Sequence, residues 1–203
     1  MKRVTLQSAR GFSLLEMIFV CAISIILAAV AAPMMGNALG YYRLSGDAKG
    51  LANSVAMTKM RAASDFTQAR LYIDLATGYR IQTFRKTPAP GAWVTEGGTT
   101  NLTGSDTFGF GGLGAAPLNT QAVITQGVTG SAQCLDAAGA AIGNTVCLLF
   151  NSRGIPVDTT GAPTGAGALY VTDGSAVYGI TVSATGNILT WRSPASTPSW
   201  MQQ

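Results

Sequence analysis

The sequence predicts an α+β fold: a long amino-terminal helix packed on a carboxy-terminal antiparallel β-sheet domain. Three observations carry that expectation. The nineteen positions Met17–Met35 hold no charged residue, and about twenty apolar residues in a helix cross the hydrocarbon of a bilayer. Leu44, Ala48, Leu51, Val55, Ala62 and Phe66 then recur at spacings that place them near one helical face. From about residue 69, apolar and polar side chains alternate between turn-forming residues, the pattern of half-buried strands. Composition agrees. The 203 residues suit one domain with an appendage. An apolar share of 47% with only 11% charged residues argues against disorder, and 25 glycines favour a loop-rich β domain.

The amino-terminal element follows from charge. Lys2, Arg3 and Arg10 precede the apolar run, and a positive flank predicts that the start stays in the cytoplasm while the bulk of the chain lies across the membrane. Three readings compete for the run. A secretory signal peptide would use Met17–Ala28 as its apolar core and Ala29-Val30-Ala31 as its small-x-small site. A plain membrane anchor needs only the length. The third reading gives Glu16 a task. A carboxylate at that depth costs about 2.5–3.5 kcal/mol on insertion scales, so it calls for a cation from a neighbouring molecule. Glu16 also stands where a helix macrodipole favours an acid, which is compatible with that pairing.

Gly11, Phe12 and Glu16, ahead of the apolar run and its Pro33, resemble the start of a type IV pilin-like protein. The resemblance implies that a prepilin peptidase cuts after Gly11 and N-methylates Phe12. Residues 1–11 are then a leader, and 12–35 form the transmembrane and assembly helix, which Pro33 kinks or melts. Glu16 of one subunit pairs with the Phe12 amine of the next, a register device in a low-dielectric bundle. The implied partners are the peptidase, the major pilin and other minor pilins or pseudopilins, the inner-membrane assembly platform and membrane lipid. The implied location is the bacterial inner membrane, single-pass with a periplasmic globular domain, and then a pilus or pseudopilus.

Residues 36–68 continue the helix as an amphipathic segment whose apolar face packs on the following sheet. Thr58 and Lys59 interrupt the stripe, and Gly36, Gly40, Gly46 and Gly50 predict bends near 33–50. The formal charge of +4 is unevenly spread: Arg43–Lys86 holds eight basic and three acidic residues, and Thr87 to the last residue two and five. The basic stretch serves as a solvated face, as a contact for acidic subunits or headgroups, or as a contact for nucleic-acid phosphates. The last use would draw on Arg61, Arg70, Arg80, Arg85 and Lys86, with Arg192 further on.

The globular domain, 69–203, reads as strands joined by turns. Leu71, Ile73 and Leu75 alternate with Tyr72 and Asp74, Ala76-Thr77-Gly78 turns, and Tyr79–Phe84 returns. Residues 86–130 read as loops with short strands at Trp93-Val94 and Ala122–Thr125. Val146–Phe150 is a strand, Asn151-Ser152-Arg153-Gly154 a turn, and Ala168–Thr172 with Ala176–Ser183 a hairpin closed by Asp173-Gly174. Thr185-Gly186-Asn187 turns into Ile188–Arg192, and the tail from Ser193 is extended. Cys134 and Cys147 form a disulfide if the domain is exported to an oxidising compartment, or stay as two buried thiols.

The Phe150–Gly154 turn and the Ile180–Gly186 strand and turn resemble those of the type II secretion pseudopilin H and FimT-type minor pilins. Some members of that group contact DNA through arginines after the last strand. Here Gly186 is followed by Asn187, and only Arg192 remains, which weakens that use. No histidine is present, no phosphate-binding loop with its lysine occurs, and the nine acids are scattered. The expectation is therefore no enzyme, no cofactor and no metal. It is a structural subunit: a minor pilin placed at the tip or at the start of assembly. The alternatives are a pseudopilin of a type II secretion system, or a tip pilin binding DNA for uptake.

Overall fold

Helix α1 runs unbroken from Leu14 to Ser64 in the computed structural model, which describes residues 12–87, 89, 91–109, 111–113, 133–165 and 167–203, the side chains of Pro33, Met34 and Asn37 excepted. Gly11, the basic leader and the expected island at Ala122–Thr125 lie outside the described residues. The chain divides into two compact units between Tyr41 and Tyr42, and α1 contributes to both. The backbone stays helical through Pro33 and the four glycines that predicted bends. In the first unit, Ser13 Oγ accepts the Glu16 N–H at 3.2 Å and caps the helix.

In the second unit, the apolar stripe of α1 is buried as expected, with one correction. Leu44, Ala48, Leu51, Val55 and Ala62 enter the core, but Phe66 does not. The helix ends at Ser64 rather than at 68, and Phe66 lies just beyond it at positive φ (49°) and 84% exposed. Thr58 is tolerated in the buried stripe because its hydroxyl donates back to the Ser54 carbonyl at 2.7 Å.

Ten strands follow among the described residues: β1 Ala69–Asp74, β2 Gly78–Arg85, β3 Ala92–Thr100, β4 Thr107–Phe108, β5 Thr145–Phe150, β6 Pro156–Val157, β7 Gly167–Thr172, β8 Ala176–Val182, β9 Ile188–Pro194 and β10 Met201–Gln202. They pair antiparallel in two sheets, β3-β2-β1-β5-β6 and β10-β9-β8-β7-β4. The expected two-residue island at Trp93 is a nine-residue edge strand, β3. Pairing with β2 over Phe84↔Trp93 and Ile81↔Glu96 carries it through Gly97 and Gly98, which strand propensity disfavours.

The period of two decides which side chains meet α1. Leu71 and Ile73 from β1, Val146, Leu148 and Phe150 from β5, and Leu169 and Val171 from β7 join Ile180 and Val182 from β8 in one core with the helix. The opposite face of the second sheet has its own cover. Leu113 and Trp200 close over Ala168, Tyr170 and Val177, with the Tyr170 and Trp200 rings 5.6 Å apart. Gly179 makes room for that tyrosine, since a Cβ there would fall 2.7 Å from its ring.

One turn recurs four times: Asp136–Ala140, Asn151–Ile155, Asp158–Ala162 and Ser183–Asn187. In each, the fourth residue is a glycine with φ between 71° and 86°, whose N–H donates to the carbonyl of the first at 2.7–3.2 Å. The first side chain accepts the N–H of the fifth. This is the three-residue hairpin loop with a glycine bulge. Cys134 and Cys147 are joined by a disulfide, so the thiol alternative is set aside.

Candidate functional site

Two regions carry the chemistry, one in each unit. In the first, every residue of the apolar stretch Leu14–Ala32 is exposed, and the stretch is long and apolar enough to cross a membrane. Nineteen residues of helix span about 28 Å, close to a bilayer's hydrocarbon thickness of about 30 Å. Phe12 stands just ahead of it, exposed, and Glu16 is the acid in its first turn. The cap from Ser13 places Glu16 at the third helical position, where a carboxylate meets the positive end of the dipole. The structural role of Glu16 as a helix-start acid is therefore present, and it leaves the carboxylate at the surface. Cys21 is a free, exposed thiol in the same stretch.

The second region is the outer face of the first sheet. Strand register lines up Thr95, Gln82, Arg70, Leu149 and Val157 in one row across β3, β2, β1, β5 and β6. Two small hairpins rise beside this row, tipped by the Asp136–Ala140 and Asp158–Ala162 turns. Between them lies a cleft of about 250 Å3, also lined by Phe84 and Trp93. The Cys134–Cys147 disulfide fastens the first hairpin to β5.

Arg70 is the centre of this cleft and only 4% exposed. Its Nε donates to Gln82 Oε1 at 2.8 Å and its Nη1 to the Leu135 carbonyl. The guanidinium lies 3.9 Å from the Trp93 ring centroid and 5.5 Å from that of Tyr72. Gln82 is held in turn by donating to Thr95 Oγ1. Burial lowers the Arg70 pKa to about 10, so the group remains cationic at neutral pH. Every Asp and Glu of the chain is among the described residues, and none stands within ion-pair distance of Arg70; the ion pair found there is Arg61 with Glu96 at 3.2 Å.

The set expected to meet nucleic acid is thus dispersed. Arg70 is buried, and Arg61 is engaged by Glu96. Arg80 stacks 4.1 Å from the Tyr72 ring. Arg85 and Lys86 are exposed beside the end of β2, and Arg192 belongs to β9 of the other sheet. They do not form one basic stripe. A third feature is acidic. Asp47 of α1 accepts from the Thr103 N–H (2.6 Å) and hydroxyl (2.7 Å). Burial first, and then the charge of Asp47, raises the Asp106 pKa to about 6. No group of three or more metal-ligating side chains occurs among the described residues. The cleft itself had no sequence signal, because it depends on register across five strands. No family model, no curated protein and no solved structure matches the chain.

Proposed function

We propose that this chain is a type IV pilin-like subunit, a minor pilin held in the inner membrane and then packed by its amino-terminal helix into a helical fibre. The supporting observation is the first half of α1: an apolar helix exposed on every side, with one carboxylate in its first turn directly after Phe12. Such a surface needs an apolar environment, and both lipid and a bundle of like helices supply one. In the bundle, the Phe12 amine released by cleavage after Gly11 neutralises Glu16 of the neighbouring subunit. The globular unit is then periplasmic, where its disulfide is maintained.

Mass spectrometry of the membrane-extracted protein tests the processing: the expected chain begins at a singly methylated Phe12, and Gly11→Val leaves the full-length precursor. Glu16→Ala keeps the cleavage and loses incorporation into fibres. A native amino terminus at Met1, or normal incorporation of Glu16→Ala, overturns the proposal. Deleting the gene separates pilus from secretion machine. Loss of sheared surface fibres that complementation restores marks a minor pilin; intact fibres with failed protein export mark a type II pseudopilin, which shares the same amino-terminal chemistry. The dispersal of the six basic residues disfavours the DNA-uptake alternative.

A further inference from the structure

The cleft over Arg70 combines three features that a merely structural surface does not need together. The first is a buried cation in no ion pair, with the Asp136 carboxylate acting on it only at longer range. Buried charges are ordinarily paired; here stacking on Trp93 and Tyr72 and two neutral acceptors take that place. The hydrogen bonds are made by Nε and Nη1, and Arg70 lines the cleft. The second is a pair of partly exposed aromatic rings, Phe84 and Trp93, packed edge to face with centroids 5.1 Å apart. The third is the rim. Asp136 and Asp158 each spend Oδ1 on their own turn, which leaves Oδ2 as a further acceptor on two residues that line the cleft, with Gln68 and Thr159 alongside.

We propose that this cleft binds a carboxylate-bearing sugar unit, with Arg70 taking the carboxylate, Trp93 and Phe84 the C–H face of the ring, and the rim the hydroxyls. The chemistry follows group by group. A carboxylate entering the cleft completes a charge-assisted bond to a guanidinium already held in place, so little ordering is lost. The carboxylates at the rim accept from hydroxyl donors, and the amides and threonines both accept and donate. A volume of about 250 Å3 matches one ring rather than an oligomer. The first hairpin is pinned by the disulfide and by Arg70, the second by the pairing of β6 with β5, and both by their own turns, so the site is largely pre-formed, as small-molecule sites ordinarily are. The inference rests on the cleft alone and stands apart from the assembly reading.

The test uses the full-length chain in a detergent that carries no sugar, with saturation-transfer NMR. The probes are glucuronate, glucose, acetate and alanine. Glucuronate is expected to bind in the millimolar range, with the other three at least about tenfold weaker. Ala137→Trp, at an exposed position on the cleft wall, fills the opening and should abolish the signal while leaving the melting temperature unchanged. Arg70→Gln should bring glucuronate down to the level of glucose. Should that variant fail to fold, Thr159→Val, which removes a rim hydroxyl, is expected to weaken glucuronate by about threefold or more, the loss of one hydrogen bond. Absence of glucuronate binding overturns the proposal. Equal binding of acetate or glucose removes the combined recognition, tighter binding of alanine assigns the cleft to amino acids instead, and a signal untouched by Ala137→Trp places the ligand elsewhere.

Discussion

The two halves of α1 obey the same geometry and solve opposite problems. From Leu14 to Ala32 the apolar side chains surround the helix and all are exposed. From Leu44 to Ala62 the stripe Leu44, Ala48, Leu51, Val55 and Ala62 is buried to within 2%, while Met57 and Met60 stand exposed off it. A helix apolar all round has no preferred face for docking, whereas a striped helix carries its own. Among the described residues nothing covers the first half, and two sheets cover the stripe of the second. Glu16 and Thr58 show the same division. The acid sits exposed in the first turn, which Ser13 caps. The buried hydroxyl finds its acceptor four residues back on its own helix.

Paired substitutions break the comparison most sharply. Leu51→Ala removes a fully buried side chain and is expected to cost about 3–4 kcal/mol, the transfer term plus a cavity term. Ile23→Ala in the exposed half should leave the melting temperature of the second unit unchanged in detergent. Thermal melts of both variants check this, and equal losses would mean the first half is covered by the chain itself. Next in size is the disulfide. Cys134→Ser with Cys147→Ser opens a loop of separation 13 and should cost about 3 kcal/mol in the chain-entropy account. Chemical reduction should lower the melting temperature of the parent protein and leave that of the double variant unmoved.

Much of this contrast was legible in the sequence, because both halves of the helix depend on local periodicity. The charge-free run, the stripe at 44–62 and the strands Leu71–Ile73, Val146–Phe150 and Ala168–Thr172 all follow from spacing. The turns Asn151–Gly154 and Thr185–Asn187 follow from their clusters of glycine and small polar residues. Phe66 misled because the stripe continues in sequence past the point where the helix stops. Only Trp93-Val94 of β3 is legible as strand, because the glycines that follow have little strand propensity and pairing with β2 overrides it. The cleft was out of reach for a different reason. Arg70 reads as one more cation of a basic stretch, until register sets it in a row with Gln82 and Leu149 and folds two hairpins beside it.

A middle-sized prediction concerns the seam where two of the four like turns meet the helix. Lys59 donates from Nζ to the Gly186 carbonyl at 2.9 Å, and its stem lies against Gly154. A Cβ on Gly186 would come within 2.9 Å of the Gly154 carbonyl oxygen, so neither turn can move without the other. Lys59→Met keeps the stem and deletes the bond, leaving a part-buried carbonyl unsatisfied, and is expected to cost about 1–2 kcal/mol. Urea titration should show a shifted midpoint with an unchanged slope. An unchanged midpoint would mean that the stem, and not the ammonium, joins the turns.

The smallest expected effect sharpens the contrast by pH, since it belongs to the second unit alone. Asp106 has its pKa raised from 3.8 to about 6, first by burial and then by the neighbouring charge of Asp47, with Asp173 adding to the rise and Arg43 of α1 opposing it. The folded chain therefore holds a proton there that the unfolded chain has already released. That contribution is complete below the unfolded pKa and is lost as pH rises through the folded one. Melting temperature should accordingly decline from about pH 4 to about pH 6 through this site. Asp106→Asn, neutral throughout, should flatten the decline, and the helicity of the first half should be indifferent to it. A parent profile that rises over the same window, with Asp106→Asn parallel to it, would mean that Asp106 is solvated like any surface acid and that the loop from Thr103 does not hold it against the Asp47 side of α1.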